Sequence, residues 1–169
     1  MKMTSAYANK VIRKLNEDKE FYLNKEREGY LYVAALDETP VIPDYDYSAV
    51  AAKIEEIDRQ IIKIKHAINL VNATSEITVR EGCRMTVDMI LVRMAQLNRR
   101  KQMLDTMRKQ QPKVRLSTSL YGSKKTTPEY QYINYDLALI QTEYDRVDQE
   151  IAEMQLALDH FNQTYEFEL

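Results

Sequence analysis

Three glycines and four prolines in 169 residues leave this chain few places to break, so long regular elements are expected. So little glycine also argues against backbone loops that cradle phosphate, and no G-x-S-x-G, H-E-x-x-H or paired C-x-x-C motif occurs. The single cysteine, Cys83, cannot form an intrachain disulfide, which fits a reducing compartment. The opening stretch Met1–Asp18 has no apolar core of the signal-peptide kind, and no run approaches the ~20 apolar residues of a membrane span. A soluble, cytoplasmic protein without membrane contact is the expectation. The formal charge of −2 gives the whole molecule no bulk bias toward nucleic acid or acidic lipid. Histidine is nearly absent, with His66 and His160 alone, and neither has a second His or Cys at ligand spacing. A metal site needs three or four converging donors, so neither a metal nor any other cofactor is expected. A nucleophilic Cys83 would need a base and an orienting group that no motif supplies, although Arg80 and Arg84 are placed to lower its pKa. The acidic, tyrosine-rich stretch holding Asp37, Glu38, Asp44 and Asp46 lacks the ligand count and glycine of a calcium loop. We therefore read the chain as non-enzymatic.

What the chain does have is two apolar repeats of seven residues. The first is Val50, Ile54, Ile57, Ile61, Ile64, Ile68 and Val71; the second is Leu137, Ile140, Tyr144, Val147, Ile151, Met154, Leu158 and Phe161. Alternating steps of three and four draw one narrow apolar seam down an α-helix, and only another helix hides it.

Four helices follow, over about 4–36, 48–72, 86–111 and 135–162. The first is capped by Thr4 or Ser5 and carries Ala8, Val11, Leu15 and Tyr22 on one face. Val33 and Leu36 continue that register, so the helix is expected to run through Gly29 at a cost of ~1 kcal/mol. A short strand over Tyr30–Ala34 is the alternative. Pro40 and Pro43 make an extended connector, and Asp46 or Ser48 caps the second helix, about 36 Å long at 1.5 Å per residue. Ile77 and Val79 alternate before Gly82, as in a small hairpin with a strand near 77–79. Thr86 caps the third helix, with Asp88 in its first turn and Val87, Ile90, Leu91, Met94, Leu97, Leu104 and Met107 as its apolar face. Residues 112–134 form an unusually long connection, with strands expected near 113–116 and 129–134 around Gly122. The rival reading takes Thr127-Pro128 as an early start to the fourth helix. The fold class is thus mainly α: one domain over 1–169, an elongated antiparallel helical bundle or coiled coil of about four long helices, with a small β-hairpin between the last two.

Charge is unevenly distributed. From Ile77 to Lys125 twelve cations face three carboxylates, a local charge of +9 in a chain of −2, so the remainder carries −11. Arg99, Arg100, Lys101, Arg108, Lys109, Lys113 and Arg115 make a candidate basic patch, and Tyr121, Tyr130 and Tyr132 nearby could stack bases. The competing reading is internal neutralisation, with a basic third helix lying among acidic neighbours.

The segments HAINLVNAT (66–74), RMTVDMILVRMAQL (84–97) after Gly82, YQYINYDL (130–137) and ALDHFNQTYEFEL (157–169) resemble the uncharacterised bacterial septicolysin-like family of small helical proteins. The resemblance covers most of residues 50–169. It implies an oligomeric helical hairpin or bundle with a strand at 130–134, and no catalytic residues. If that family shares a site, its best candidates are the polar junction residues Asn69, Asn72 and Thr74, whose alternative role is capping and turn formation. The leading expectation is a protein that associates with itself or with another protein. A nucleic-acid-associated module using residues 77–125 is the second.

Overall fold

A computed structural model describes residues 2–116 and 127–169. Its elements are β1 (Lys2–Thr4), α1 (Ser5–Gly29), α2 (Tyr47–Thr74), β2 (Glu76–Arg80), β3 (Cys83–Thr86), α3 (Val87–Arg108), β4 (Lys113–Arg115), β5 (Tyr130–Tyr132), α4 (Leu137–Thr164) and β6 (Glu166–Glu168). The protein is mainly helical, with four helices and three two-stranded sheets among the described residues: β1 with β6, β2 with β3, and β4 with β5. The chain divides into two compact units, one made of residues up to Ile77 plus Leu158–Leu169, the other of Thr78–Ala157.

In the first unit, α1 packs on α2. The α2 seam is the reason: Val50, Ile57, Ile61 and Ile64 are buried, and Ile54, Ile68 and Val71 are half-buried. Ala8 and Ile12 of α1 meet Ile64, flanked by Val11, Leu15, Ile68 and Val71. Lys19 closes the far side by donating to Asp58 at 2.6 Å. Fully burying one such aliphatic side chain contributes about 1.5–3 kcal/mol, so the seam outweighs any surface ion pair here. Thr4 caps α1 by accepting from Tyr7 N at 3.2 Å, and Asp46 caps α2 by accepting from Ser48 N at 2.8 Å and Ala49 N at 3.3 Å. The β1–β6 pairing places Met3 opposite Phe167 in antiparallel register, and both are buried.

The first helix does not run to Leu36. It stops at Gly29, because the chain returns to lay Tyr45 on that position: a Cβ on Gly29 would stand 2.5 Å from the Tyr45 Cβ. Tyr45 Oη donates to Glu26 at 3.2 Å, which pins the returning chain. Val33 and Leu36, in register with the α1 face, are fully exposed. The strand alternative over 30–34 is not adopted either.

In the second unit, Val87, Ile90, Leu97 and Leu104 of α3 and Ile140, Val147 and Met154 of α4 are buried. Partners run in opposite order along the two helices: Arg93 reaches Glu150, Lys101 reaches Asp148, and Met107 O accepts from Tyr135 Oη. Leu91, counted on the apolar face of α3, is half exposed. Thr86 occupies the N-cap of α3, but its hydroxyl donates to Asp88, and it is Asp88 that accepts from a first-turn amide, Met89 N at 2.9 Å. The helix ends at Arg108 rather than 111. Gln110 N donates to Met107 O at 3.1 Å in a tightened turn, and Pro112 disfavours helix in the residue before it. The α4 helix starts at Leu137, two residues later than the 135 expected, because Asp136 caps it by accepting from Ala138 N at 2.8 Å. It runs on to Thr164, past 162, and Tyr165 N donates to Phe161 O at 2.9 Å. The Thr127-Pro128 start is not used. The turn between β2 and β3 is Glu81-Gly82, with Gly82 at φ +74°, a conformation that favours glycine. The expected loop around Gly122, with Tyr121, Lys124 and Lys125, lies outside the described residues.

Candidate functional site

The basic residues expected to form one patch separate into distinct settings. The buried residues Val87, Ile90, Leu97 and Leu104 of α3 and the half-buried Met94, Lys101 and Arg108 follow one heptad, so two cations sit in seam positions. Both meet one tyrosine of α4. The Arg108 guanidinium lies 4.0 Å from the centre of the Tyr144 ring, and the Lys101 ammonium 5.6 Å. Lys101 also donates to Asp148, and that hydrogen bond is the largest influence raising its pKa. Arg108 and Lys109 share Asp105, at 2.7 and 2.5 Å. The Lys109 bond first, and the Arg108 bond second, hold the Asp105 carboxyl below its ordinary range. Upstream, Arg93 pairs with Glu150 at 2.9 Å and Arg80 approaches Glu153 at 3.7 Å. Much of the local positive charge is therefore neutralised within the unit. Arg99 and Arg100 lie on the exposed side of α3, without an ion pair among the described residues.

Lys113 and Arg115 are different. Both lie on β4, which pairs with β5 so that Lys113 stands opposite Tyr132, Val114 opposite Gln131 and Arg115 opposite Tyr130. Alternation along a strand sends Val114 and Gln131 to one face and the other four residues to the opposite face. Val114 and Gln131 line a cleft of about 270 Å³ with Met103, Met107, Asn134 and Tyr135, and Tyr132 contributes to its rim. On the outer face the Lys113 ammonium lies 4.1 Å from the Tyr130 ring centre and 5.4 Å from that of Tyr132. The two rings are 6.4 Å apart and tilted by 49°.

The polar junction is not assembled into a shared site. Thr74 turns back and donates to Leu70 O at 2.8 Å, Asn69 is exposed, and Asn72 is half-buried. Ser75 N closes the helix on Val71 O at 2.9 Å. His66 and His160 are both exposed, and Cys83 is half-buried at the start of β3. Among the described residues, no group of three or more His, Cys, Asp or Glu side chains is placed to hold a metal ion. No helix is long and apolar enough to cross a membrane among those residues.

One surface was not visible in the sequence. The connector 30–46 carries Leu31, Val33, Leu36, Val41 and Ile42 in water, with Val33 at 98 %, Leu36 at 111 % and Val41 at 89 % exposure. The helical register of Val33 and Leu36 made those two look like a continuation of the α1 core face, while Val41 and Ile42 fall in the expected extended connector. Tyr47 beyond them is exposed as well, so of the connector tyrosines it is Tyr45 that covers a helix end.

No family model matches the chain, and no curated protein matches it. Among solved structures it is similar to a functionally unknown conserved protein from Corynebacterium diphtheriae, at a TM-score of 0.63 and 16 % identity, over 99 % of this chain and 100 % of that one. At that identity the likeness is one of fold.

Proposed function

We propose that this is a non-enzymatic helical protein that works by association, with further copies of itself or with another protein. The observation that carries this reading is the exposed connector. It places several large apolar side chains in one segment, and such patches mark contact surfaces more often than inert ones. A connection of this length without secondary structure of its own is more often functional than incidental. Tyr45 fixes the connector at one end, so the apolar residues are presented from an anchored base. The reading includes the finer architecture that the seams imply, an elongated antiparallel bundle of coiled-coil type, together with a cytoplasmic location and kinship with the septicolysin-like family.

The test is the mass in solution by size-exclusion chromatography with light scattering, at low and high salt. We expect a dimer or larger that salt does not disturb, because the contact is apolar. The combined substitution Val33→Ser, Leu36→Ser and Val41→Ser should lower the mass to that of a monomer while the helical melt stays in place. A clean monomer at both salt concentrations overturns self-association. An oligomer unaffected by the triple substitution removes the connector as its contact.

A further inference from the structure

We propose that the outer face of the β4–β5 ribbon binds single-stranded nucleic acid, with Tyr130 and Tyr132 as stacking platforms for bases and Lys113 and Arg115 as phosphate contacts. The four residues fill all four outward positions of the two paired strands, in register Lys113↔Tyr132 and Arg115↔Tyr130. No carboxylate stands among them, so the face carries a charge of its own sign in a chain whose net charge is −2. Arg80, Arg93, Lys101, Arg108 and Lys109 of the same unit each have a carboxylate partner, and Arg99 and Arg100 have neither a carboxylate partner nor a tyrosine ring beside them among the described residues. Lys113 is supported by tyrosine rings alone, and Arg115 has no partner among the described residues.

The tyrosines are not buried in a core: all six residues of the ribbon are exposed, with Tyr130 at 38 % and Tyr132 at 61 %. With centres 6.4 Å apart and planes 49° from parallel, the rings do not stack on one another, and each keeps a face for its own base. Aromatic platforms beside cations are how proteins hold single strands without reading sequence, since every base has a π-face and every nucleotide a phosphate. A duplex offers no free base faces, so the geometry favours the single strand. Lys113, now over the rings, would exchange that contact for phosphate as bases arrive.

The site is independent of the connector on which the association reading rests. A labelled oligothymidylate followed by fluorescence anisotropy, with the intact protein, tests it. We expect binding at low salt that weakens as salt rises. Tyr130→Ala with Tyr132→Ala should reduce affinity about 5- to 100-fold for each ring lost. Lys113→Gln with Arg115→Gln should flatten the dependence of log K on log salt by about 0.7 for each cation removed. Tyr130→Phe with Tyr132→Phe keeps both rings and should keep the affinity, which protects the test if the alanine variant misfolds. Absence of binding at low salt overturns the proposal. So does binding that the phenylalanine variant loses, or that polyglutamate displaces as well as oligothymidylate does. Binding lost instead through Arg99→Glu with Lys101→Glu, with the tyrosine variants unaffected, overturns it in favour of the α3 surface.

Discussion

Ser5 is buried at the start of α1 with its hydroxyl unpaired among the described residues. An unpaired buried hydroxyl costs desolvation and returns nothing, so Ser5→Ala should leave stability unchanged or raise it by up to ~1 kcal/mol, read by urea unfolding. Two other residues tie stability to pH in opposite directions. Asp105 has a carboxyl lowered by Lys109 and Arg108, so its contribution is present above the ordinary carboxylate value of about 3.9 and is lost as pH falls through its depressed folded value. Tyr45 has a phenol raised by burial first and by its bond to Glu26 second. Its contribution is present below the ordinary phenol value of about 10 and is lost as pH rises through its raised folded value. Melting temperature against pH should therefore lose part of its acid limb in Asp105→Asn and part of its alkaline limb in Tyr45→Phe. An unchanged profile in either variant refutes that assignment.

At the scale of elements, the end of α1 sets two effects against each other. Gly29→Ala gains helix propensity of up to ~1 kcal/mol, but its Cβ meets the Cβ and Cγ of Tyr45 at 2.5 and 2.8 Å, next to the backbone where little can yield. Overpacking of that kind costs about 1–3 kcal/mol, so the substitution should destabilise, by chemical denaturation. Tyr45→Gly, which removes both clashing atoms, should restore part of the loss, where Tyr45→Ala, which keeps the Cβ at 2.5 Å, restores less. On α2 the seam decides. Ile57→Asp with Ile61→Asp puts two carboxylates among buried isoleucines and should abolish the cooperative melt, and an intact melt and particle mass would sink the seam assignment. These elements show which parts of the fold were legible. Seams and caps are local patterns, so the isoleucine repeat, Thr4 and Asp46 could be read directly. Gly29 could not, because its reason lies at Tyr45, sixteen positions on in the chain. Lys101 and Arg108 escaped because a search for apolar periodicity passes over cations, whose stems and cation–π contacts also fill seam positions. The three-residue strands β1 and β6 were missed because so short a run carries little alternation.

For the whole molecule, the charge asymmetry of the sequence has a structural resolution. The segment of local charge +9 supplies cations to Asp148, Glu150 and Glu153 of α4. Of the seven residues read as a basic patch, Lys101, Arg108 and Lys109 are paired with carboxylates, which leaves Arg99 and Arg100 on the exposed side of α3 and Lys113 and Arg115 on the tyrosine face of the ribbon. The candidate association surface was illegible in part for a complementary reason: Val33 and Leu36 in helical register announce a core, and only the end of α1 at Gly29 leaves them in water.

The pairing of β1 with β6 has a consequence for synthesis. The first unit draws its buried residues from both ends of the described chain, Met3 from one and Phe167 from the other, while the second unit, Thr78–Ala157, is continuous. On the ribosome the continuous unit has all its residues before the discontinuous one does. Met3 waits for Phe167 through most of translation, whereas the α1 face already has α2 to meet, so nascent chains arrested before Glu166 should be cut by protease near Met3 while the α1–α2 pair resists.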